Sequence, residues 1–213
     1  MKLVFLGPPG TGKGTQAKLI SEHFKIAHIS TGNLFRQLAD ENNPSGLEAR
    51  DKYWGKGNLV PDNITVKILK ERLSKPDCKN GFILDGFPRN IDQVNHLNKI
   101  TKIDLVIYIY SYEKEIIKRF ENRYQCNNCN IVYGLGKMSK KPGYCDECHK
   151  KLVKREDDNL EVLKTRLKIF YDNVNPVVDL YKEKGVLIEI NGEQPVEKVN
   201  QDILEEILKN IKE

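Results

Sequence analysis

The chain has 213 residues, 39% of them hydrophobic and 31% charged, and its 35 Lys and Arg against 30 Asp and Glu leave a net charge of +5. That length suits one α/β domain with an insertion better than two full domains, and the apolar share is enough for a proper core under a well-solvated surface. The mild positive charge fits anionic small ligands, nucleic acid or a plain Lys-rich surface.

No apolar run is long enough to span a bilayer. The stretch Leu3 to Leu6 is too short for the apolar core of an export signal, so a cytoplasmic protein with no membrane partner is expected, and a monomer by default. In chain order, Lys2 to Leu6 reads as a buried strand and Gly7 to Thr15 as a glycine-rich turn. A helix follows to Phe24, with Ala17, Ile20 and Phe24 at helical spacing. Ala27 to Ser30 is a short strand, and a helix carries Leu34, Phe35 and Leu38. Pro61-Asp62 opens a helix with Ile64, Ile68 and Leu69 facing inward. Phe82 to Asp85 is a strand ending at the turn Gly86-Phe87-Pro88, and a polar helix comes next. Leu105 to Tyr110, almost wholly apolar, reads as a buried central strand, and Glu113 to Arg123 as a helix. Tyr124 to Asp158 then breaks the pattern with paired cysteines, glycines and many lysines, like an inserted module. A long helix runs from Leu160 to about Lys184, with Pro176 as a kink. Val186 to Ile190 is the last strand. The closing helix turns Val199, Ile203, Ile207 and Ile211 to one side. Strand alternating with helix predicts a five-stranded parallel sheet covered on both faces.

Gly7-Pro8-Pro9-Gly10-Thr11-Gly12-Lys13-Gly14-Thr15 lies between a strand and a helix, the context that identifies a phosphate-binding P-loop. Glycines let the backbone wrap phosphates without side chains in the way. Exposed N–H groups and the helix N-terminus supply positive potential, and Lys13 adds a point charge. The Ser or Thr that usually follows the lysine is displaced by one position here, to Thr15 behind Gly14. Asp85, at the end of a strand, would sit at the carboxyl edge of the sheet, where ligands of such sheets bind.

GPPGTGKGTQ resembles the P-loop of adenylate kinases, including the glycine between Lys13 and Thr15. HISTGNLFR (28–36), GNLVPD (57–62), GFILDGFPRNIDQ (81–93) and REDD (155–158) resemble the same family in the same order, from about Met1 to about Gly192. The resemblance implies a P-loop kinase core over 1–123 and 159–213, an AMP-binding helical segment at about 31–60, and a lid over 124–158. It implies reversible phosphoryl transfer from ATP to AMP with Mg²⁺, giving two ADP. Gly10, Thr11, Gly12, Lys13, Gly14, Thr15, Arg119, Arg123 and Gln194 then match the ATP site. Thr31, Arg36, Gly57, Asn58, Leu59, Val60, Gly86, Arg89, Gln93, Arg155 and Arg166 match the AMP site, with Gln93 at the base edge. Lys13, Arg89, Arg123, Arg155, Arg166 and Asp85 are the implied catalytic group, Asp85 holding magnesium through water. Asp157 and Asp158 match the acidic pair that helps the lid close. Asn33 departs from the family's usual Asp and brings no charge. Arg119 and Arg123, four apart, are expected on one helix face.

The attacking group in such a reaction is an AMP phosphate oxygen, already anionic, so no strong base is needed and none is found. Positioning and charge neutralisation carry the chemistry.

Cys126-x2-Cys129 and Cys145-x2-Cys148, fifteen residues apart, have zinc-ribbon spacing. Four thiolates would close a structural Zn²⁺ site, which suits a module of about 35 residues with little core of its own. Disulfides and unligated thiols are the alternatives. His149 and Cys78 are assigned no role. The module from Cys126 to Arg155 holds seven Lys and Arg against two Asp and Glu. That excess could face RNA or DNA, could serve ATP, or could offset the zinc-thiolate charge. The few aromatics there do not form a base-stacking cluster, so no nucleic-acid partner is expected. A kinase for UMP or CMP is the nearest rival reading, and a P-loop ATPase with a nucleic-acid-binding ribbon is the rival from another class.

Overall fold

In the computed structural model, which describes residues 1–135, 137–155 and 158–211, strand β1 (Lys2–Leu6) lies at the centre of a parallel sheet. Its side chains alternate. Val4 and Leu6 enter one apolar cluster, and Leu3 and Phe5 enter another on the opposite face. Both faces are therefore covered, and near-continuous apolar sequence is the consequence. β2 (Ala27–Ser30), β3 (Phe82–Asp85), β4 (Leu105–Tyr110) and β7 (Leu187–Asn191) complete the order β2-β3-β1-β4-β7, all pairings parallel.

The helices divide between the faces. α1 (Lys13–Phe24) and α9 (Val196–Ile211) bring Ala17, Ile20, Val199, Ile203 and Ile207 to the Leu3–Phe5 side. The other side receives Val66 and Leu69 of α4 (Asp62–Leu73), Val94 and Leu97 of α5 (Ile91–Ile100), and Val177, Val178 and Tyr181 of α8 (Asn175–Glu183). The inward face of α4 is thus Val66 and Leu69. Ile64 and Ile68 pack sideways instead, on a small cluster of Phe35, Ala49 and Val60. The side chain of Ile211, expected on the inner face of α9, is outside the described residues.

α2 (Thr31–Asp40) is followed by a helix absent from the sequence reading, α3 (Pro44–Lys52), and a 3₁₀ turn at Trp54–Lys56. Asn43 caps α3 by accepting from Ser45 N at 3.0 Å, and Pro44 sits where its missing N–H costs nothing. Polar residues and Gly46 hide this helix from apolar periodicity. Gly46 is there for contact: a Cβ would stand 2.4 Å from Ala39 N on α2.

Three boundaries need correcting. α6 runs Glu113–Glu121, not to Arg123. Asn122 leaves the helix, and the chain is then drawn into a short ladder between β5 (Tyr124–Gln125) and β6 (Val132–Tyr133), so Arg123 lies beyond the helix end. The last strand starts one residue later than expected, although the Val186 carbonyl still accepts from Val106 N at 2.9 Å. The long helix is α7 (Leu160–Ile169), a π turn at Phe170–Val174, and α8. Pro176 cannot donate, and the wider turn just before it, with Asn175 N bonded to Phe170 O, absorbs the defect.

From Tyr124 to Arg155 the chain packs around its own small cluster of Cys126, Ile131, Tyr133, Cys145 and Leu152.

Candidate active site

β1 and β3 are neighbours, and Phe5 is in register with Asp85. The loop after β1 and the carboxylate ending β3 therefore meet at the carboxyl edge of the sheet. Gly7 has φ 145°, and a Cβ there would lie 2.2 Å from Ile109 O, so only glycine lets the loop leave the sheet on this path. Thr11 Oγ1 donates to Pro8 O at 3.0 Å and Lys13 Nζ to the same carbonyl at 2.7 Å, which folds the ammonium back over the loop. A Cβ at Gly14 would stand 3.3 Å from Asp85 Oδ2, so glycine in place of the usual Ser or Thr leaves room beside the carboxylate. His28 Nε2 is 3.6 Å from Asp85 Oδ2, beyond hydrogen-bond length, and is buried without a hydrogen-bond partner among the described residues.

A cleft of about 1010 Å³ opens above this edge. Every residue that the sequence reading assigned to ATP, AMP or catalysis lines it, from Gly10–Thr15 through Thr31, Arg36 and Gly57–Val60 to Asp85, Arg89, Gln93, Arg119, Arg123, Arg155, Arg166 and Gln194. Arg119 and Arg123 thus share the cleft though not a helix. Asp158 is described and meets Arg123; Glu156 and Asp157 fall outside the described residues.

The cations are individually held. Arg36 Nη2 donates to Asn33 Oδ1 at 2.6 Å, with its guanidinium 6.0 Å from the Trp54 ring. Asn33, neutral where the family's usual Asp would be charged, thus serves to aim an arginine. Thr31 Oγ1 donates to Gly86 O at 2.9 Å, and Arg89 Nε to the same oxygen at 2.7 Å. Arg119 Nη1 reaches Gly192 O at 2.8 Å. Arg123 pairs bidentately with Asp158, Nε to Oδ2 at 2.8 Å, and lies 4.5 Å over the Phe120 ring. Arg155 Nε donates to Gln125 Oε1. Gln194 turns its amide nitrogen to Asn191 O at 3.2 Å and Asp202 Oδ2 at 2.8 Å. Gln93 Oε1 accepts from Arg89 N at 2.7 Å and its Nε2 donates to Asp62 Oδ1 at 2.7 Å. Trp54, Phe120 and Gln125 were not singled out in the sequence, and Asp62 was read there only as the start of a helix; Trp54, Gln125 and Asp62 reach their site residues across the fold, where no local pattern marks them.

The cleft crowds buried cations together. Lys13 falls from its ordinary 10.5 to about 8, through burial first; Arg89, Arg123 and Arg166 add to this and Asp85 opposes it. Arg155 and Arg166 drop to about 9, again by burial and then by neighbouring arginines. Arg36 and Arg89 are pushed down for the same reasons. Burial would raise Asp85, but His28, Lys13 and Arg89 outweigh it and hold the carboxyl below its usual range. Buried like charges repel, and a multiply charged anion relieves that repulsion.

The family model for adenylate kinase matches residues 5–186. The adenylate kinase of Archaeoglobus fulgidus is 43% identical over 100% of both chains. That of Thermosipho africanus is 43% identical over 96% of this chain and 98% of its own, and that of Clostridium tetani 43% over 95% and 96%. The chain belongs to the adenylate kinase family.

The cysteine segment brings its two CxxC pairs together. The four Sγ atoms of Cys126, Cys129, Cys145 and Cys148 lie within 4.8 Å of one another. A tetrahedral zinc–thiolate site needs about 3.8 Å between sulfurs, from bonds of about 2.3 Å. None of the five cysteines is in a disulfide, and Cys126 and Cys148 sulfurs are 3.4 Å apart, too far for one. Burial opposes ionisation of Cys145, yet the Tyr133 hydroxyl and the N–H groups of Cys148 and Glu147 bring its thiol to about 6. Tyr133 itself is fixed by Asp146 N at 2.9 Å. The donor set fits a metal that binds thiolates.

Proposed function

We infer that the chain catalyses the reversible transfer of the terminal phosphoryl group of ATP to AMP, giving two ADP. Family membership over the whole chain supports this, and one observation of its own carries it: Lys13, Arg36, Arg89, Arg123, Arg155 and Arg166 line one cleft beside a P-loop, and burial pushes the pKa values of Lys13, Arg36, Arg89, Arg155 and Arg166 down.

In this reading the AMP phosphate, gripped by Thr31, Arg36 and Arg89, presents an oxygen in line with the terminal phosphorus of ATP. The P–O bond to AMP forms as the bridging P–O bond of ATP breaks, and the leaving ADP keeps that electron pair. Lys13, Arg123, Arg155 and Arg166 neutralise charge on the transferred group, and arginine's planar fork suits phosphate oxygens. The loop Gly10–Thr15 cradles the ATP phosphates. Arg119 and Gln194 belong to the ATP side, and Gly57–Val60, Gly86 and Gln93 to the AMP side. Mg²⁺, bound with ATP, would offset phosphate charge, with Asp85 as its protein anchor; the depressed carboxyl fits that role.

The segment 124–158 is a lid on a core of 1–123 and 159–213, with AMP seated by the helices of about 31–60. Closure excludes water, which would otherwise take the phosphoryl group. The four cysteines hold a structural Zn²⁺, closed to chemistry by its full ligand shell. A cytoplasmic monomer with no nucleic-acid partner is the simplest setting. No helix among the described residues is long and apolar enough to cross a membrane. The test is a coupled assay with Mg-ATP across AMP, GMP, CMP and UMP. AMP is expected to win by a wide margin; equal turnover with UMP or CMP would give the site to a pyrimidine nucleotide, and ATP hydrolysis with no acceptor would favour an ATPase.

A further inference from the structure

A glutamine that reads a purine edge has an ambiguity. Its carboxamide holds an acceptor oxygen and a donor nitrogen. One way round, it accepts from a 6-amino group and donates to N1 of the ring. Turned over, it donates to a 6-oxo group and accepts from N1–H. A glutamine that rotates without hindrance serves both edges.

Gln93 cannot rotate in this way. Its oxygen accepts from Arg89 N and its nitrogen donates to Asp62 Oδ1, both at 2.7 Å. Asp62 is in turn held by Asn90 Nδ2, at 3.2 Å to Oδ1 and 3.0 Å to Oδ2. Asn90 Oδ1 accepts from Gln93 N at 2.7 Å as the cap of α5, which closes the ring of contacts. A flipped amide would set its oxygen against a carboxylate and its NH₂ against an N–H. Gln93 is 2% exposed, so no water relieves that clash. One N–H and one lone pair of the amide remain for a ligand in the cleft that Gln93 lines.

We propose that Asp62 is a positioning residue that fixes the Gln93 carboxamide one way round, and thereby makes the site select a 6-amino over a 6-oxo purine monophosphate. The inference rests on the reading of Gln93 as the residue at the AMP base edge.

The probe is inosine monophosphate, which differs from AMP only at the edge in question. Asp62→Asn keeps the size of the side chain but can face Gln93 with either oxygen or nitrogen, so the lock is lost. The ratio of kcat/KM for AMP to that for inosine monophosphate is expected to fall roughly tenfold or more, through KM, with the KM for ATP within about twofold of its starting value. A proportional fall with both substrates, leaving the ratio unchanged, would mean that Asp62 only supports the start of α4, and would overturn the proposal. Asn90→Ser keeps a cap for Gln93 N but drops both bonds to Asp62, and should shift the ratio the same way by less. If Asp62→Asn does not fold, Asn90→Ser decides, and an unchanged ratio there overturns the proposal. An unsubstituted enzyme that ignores AMP altogether would instead overturn the proposed function.

Discussion

Arg89 and Lys13 are where the proposed function rests most on single side chains. Arg89 is anchored twice, through Nε to Gly86 O and through its N–H to Gln93, so its guanidinium is aimed before substrate arrives. Arg89→Ala should lower turnover at saturating AMP by about 10²-fold or more, because a donor aimed at transition-state charge is lost. The melting temperature should not fall, since burial penalises this cation in the fold. Near-normal turnover would remove Arg89 from the reaction. Lys13 gives a pH signature. Its charged form is penalised in the fold, so below about 8 the unliganded protein bears that penalty. As pH climbs from about 8 towards 10.5 the unfolded chain holds the extra proton, and this group makes stability rise with pH. Nucleotide affinity should move the other way, weakening above about 8 as the ammonium is lost. Titration calorimetry with ATP from pH 7 to 9.5 would check it, and a flat profile would place the proton elsewhere.

Among the elements, those legible in the sequence were those whose job is burial. β1, β3 and β4 announce themselves by apolar runs, and α9 by Val199, Ile203 and Ile207 at helical spacing, all of them buried. The candidate site stood out for a different reason: Lys13, Asp85 and Arg89 stand in strings that resemble the family's, and the structure lines one cleft with all three. What stayed hidden depends on contact between distant segments. α3 has almost no apolar stripe and is defined by its Asn43 cap and by Gly46 against α2. The end of α6 is set by the β5–β6 ladder, which no helix propensity foretells. Gln125 under Arg155 and Asp62 beside Gln93 are joined only by the fold. Gly46→Val tests the hidden element. Its branched side chain would run into Ala39 and Leu38 on α2 and should cost about 1–3 kcal/mol in urea unfolding. It should also raise the KM for AMP, since α2 carries Thr31 and Arg36. Unchanged stability would mean that the two helices part without cost.

At the scale of the molecule, two cores of different character are joined. The sheet is held by apolar clusters on both faces. Among the described residues from Tyr124 to Arg155, the apolar side chains buried beside the cysteines are Ile131, Tyr133 and Leu152. So small a cluster offsets little of the conformational entropy of ordering the segment, and the proposed Zn²⁺ on the four cysteines would supply the difference. One Zn²⁺ per chain is expected from metal analysis of protein purified without chelator, and less than about half an equivalent would contradict so closed a site. Because the ligands serve only this segment, stripping the metal should melt the lid first and leave the sheet folded. Cys145→Ser should therefore lower the melting temperature while retaining part of the activity at low temperature. Cys145 is 1% exposed and its sulfur accepts from Tyr133 OH at 3.5 Å, so its loss is felt inside the segment's cluster. Unchanged melting would show that the sulfurs are not bridged by metal. A variant whose lid stays folded while all turnover disappears would point instead to a metal that takes part in the reaction. The predicted pattern, an early melting step with residual turnover in the cold, follows from a staple that holds the lid's shape while Lys13 and the arginines carry the charge.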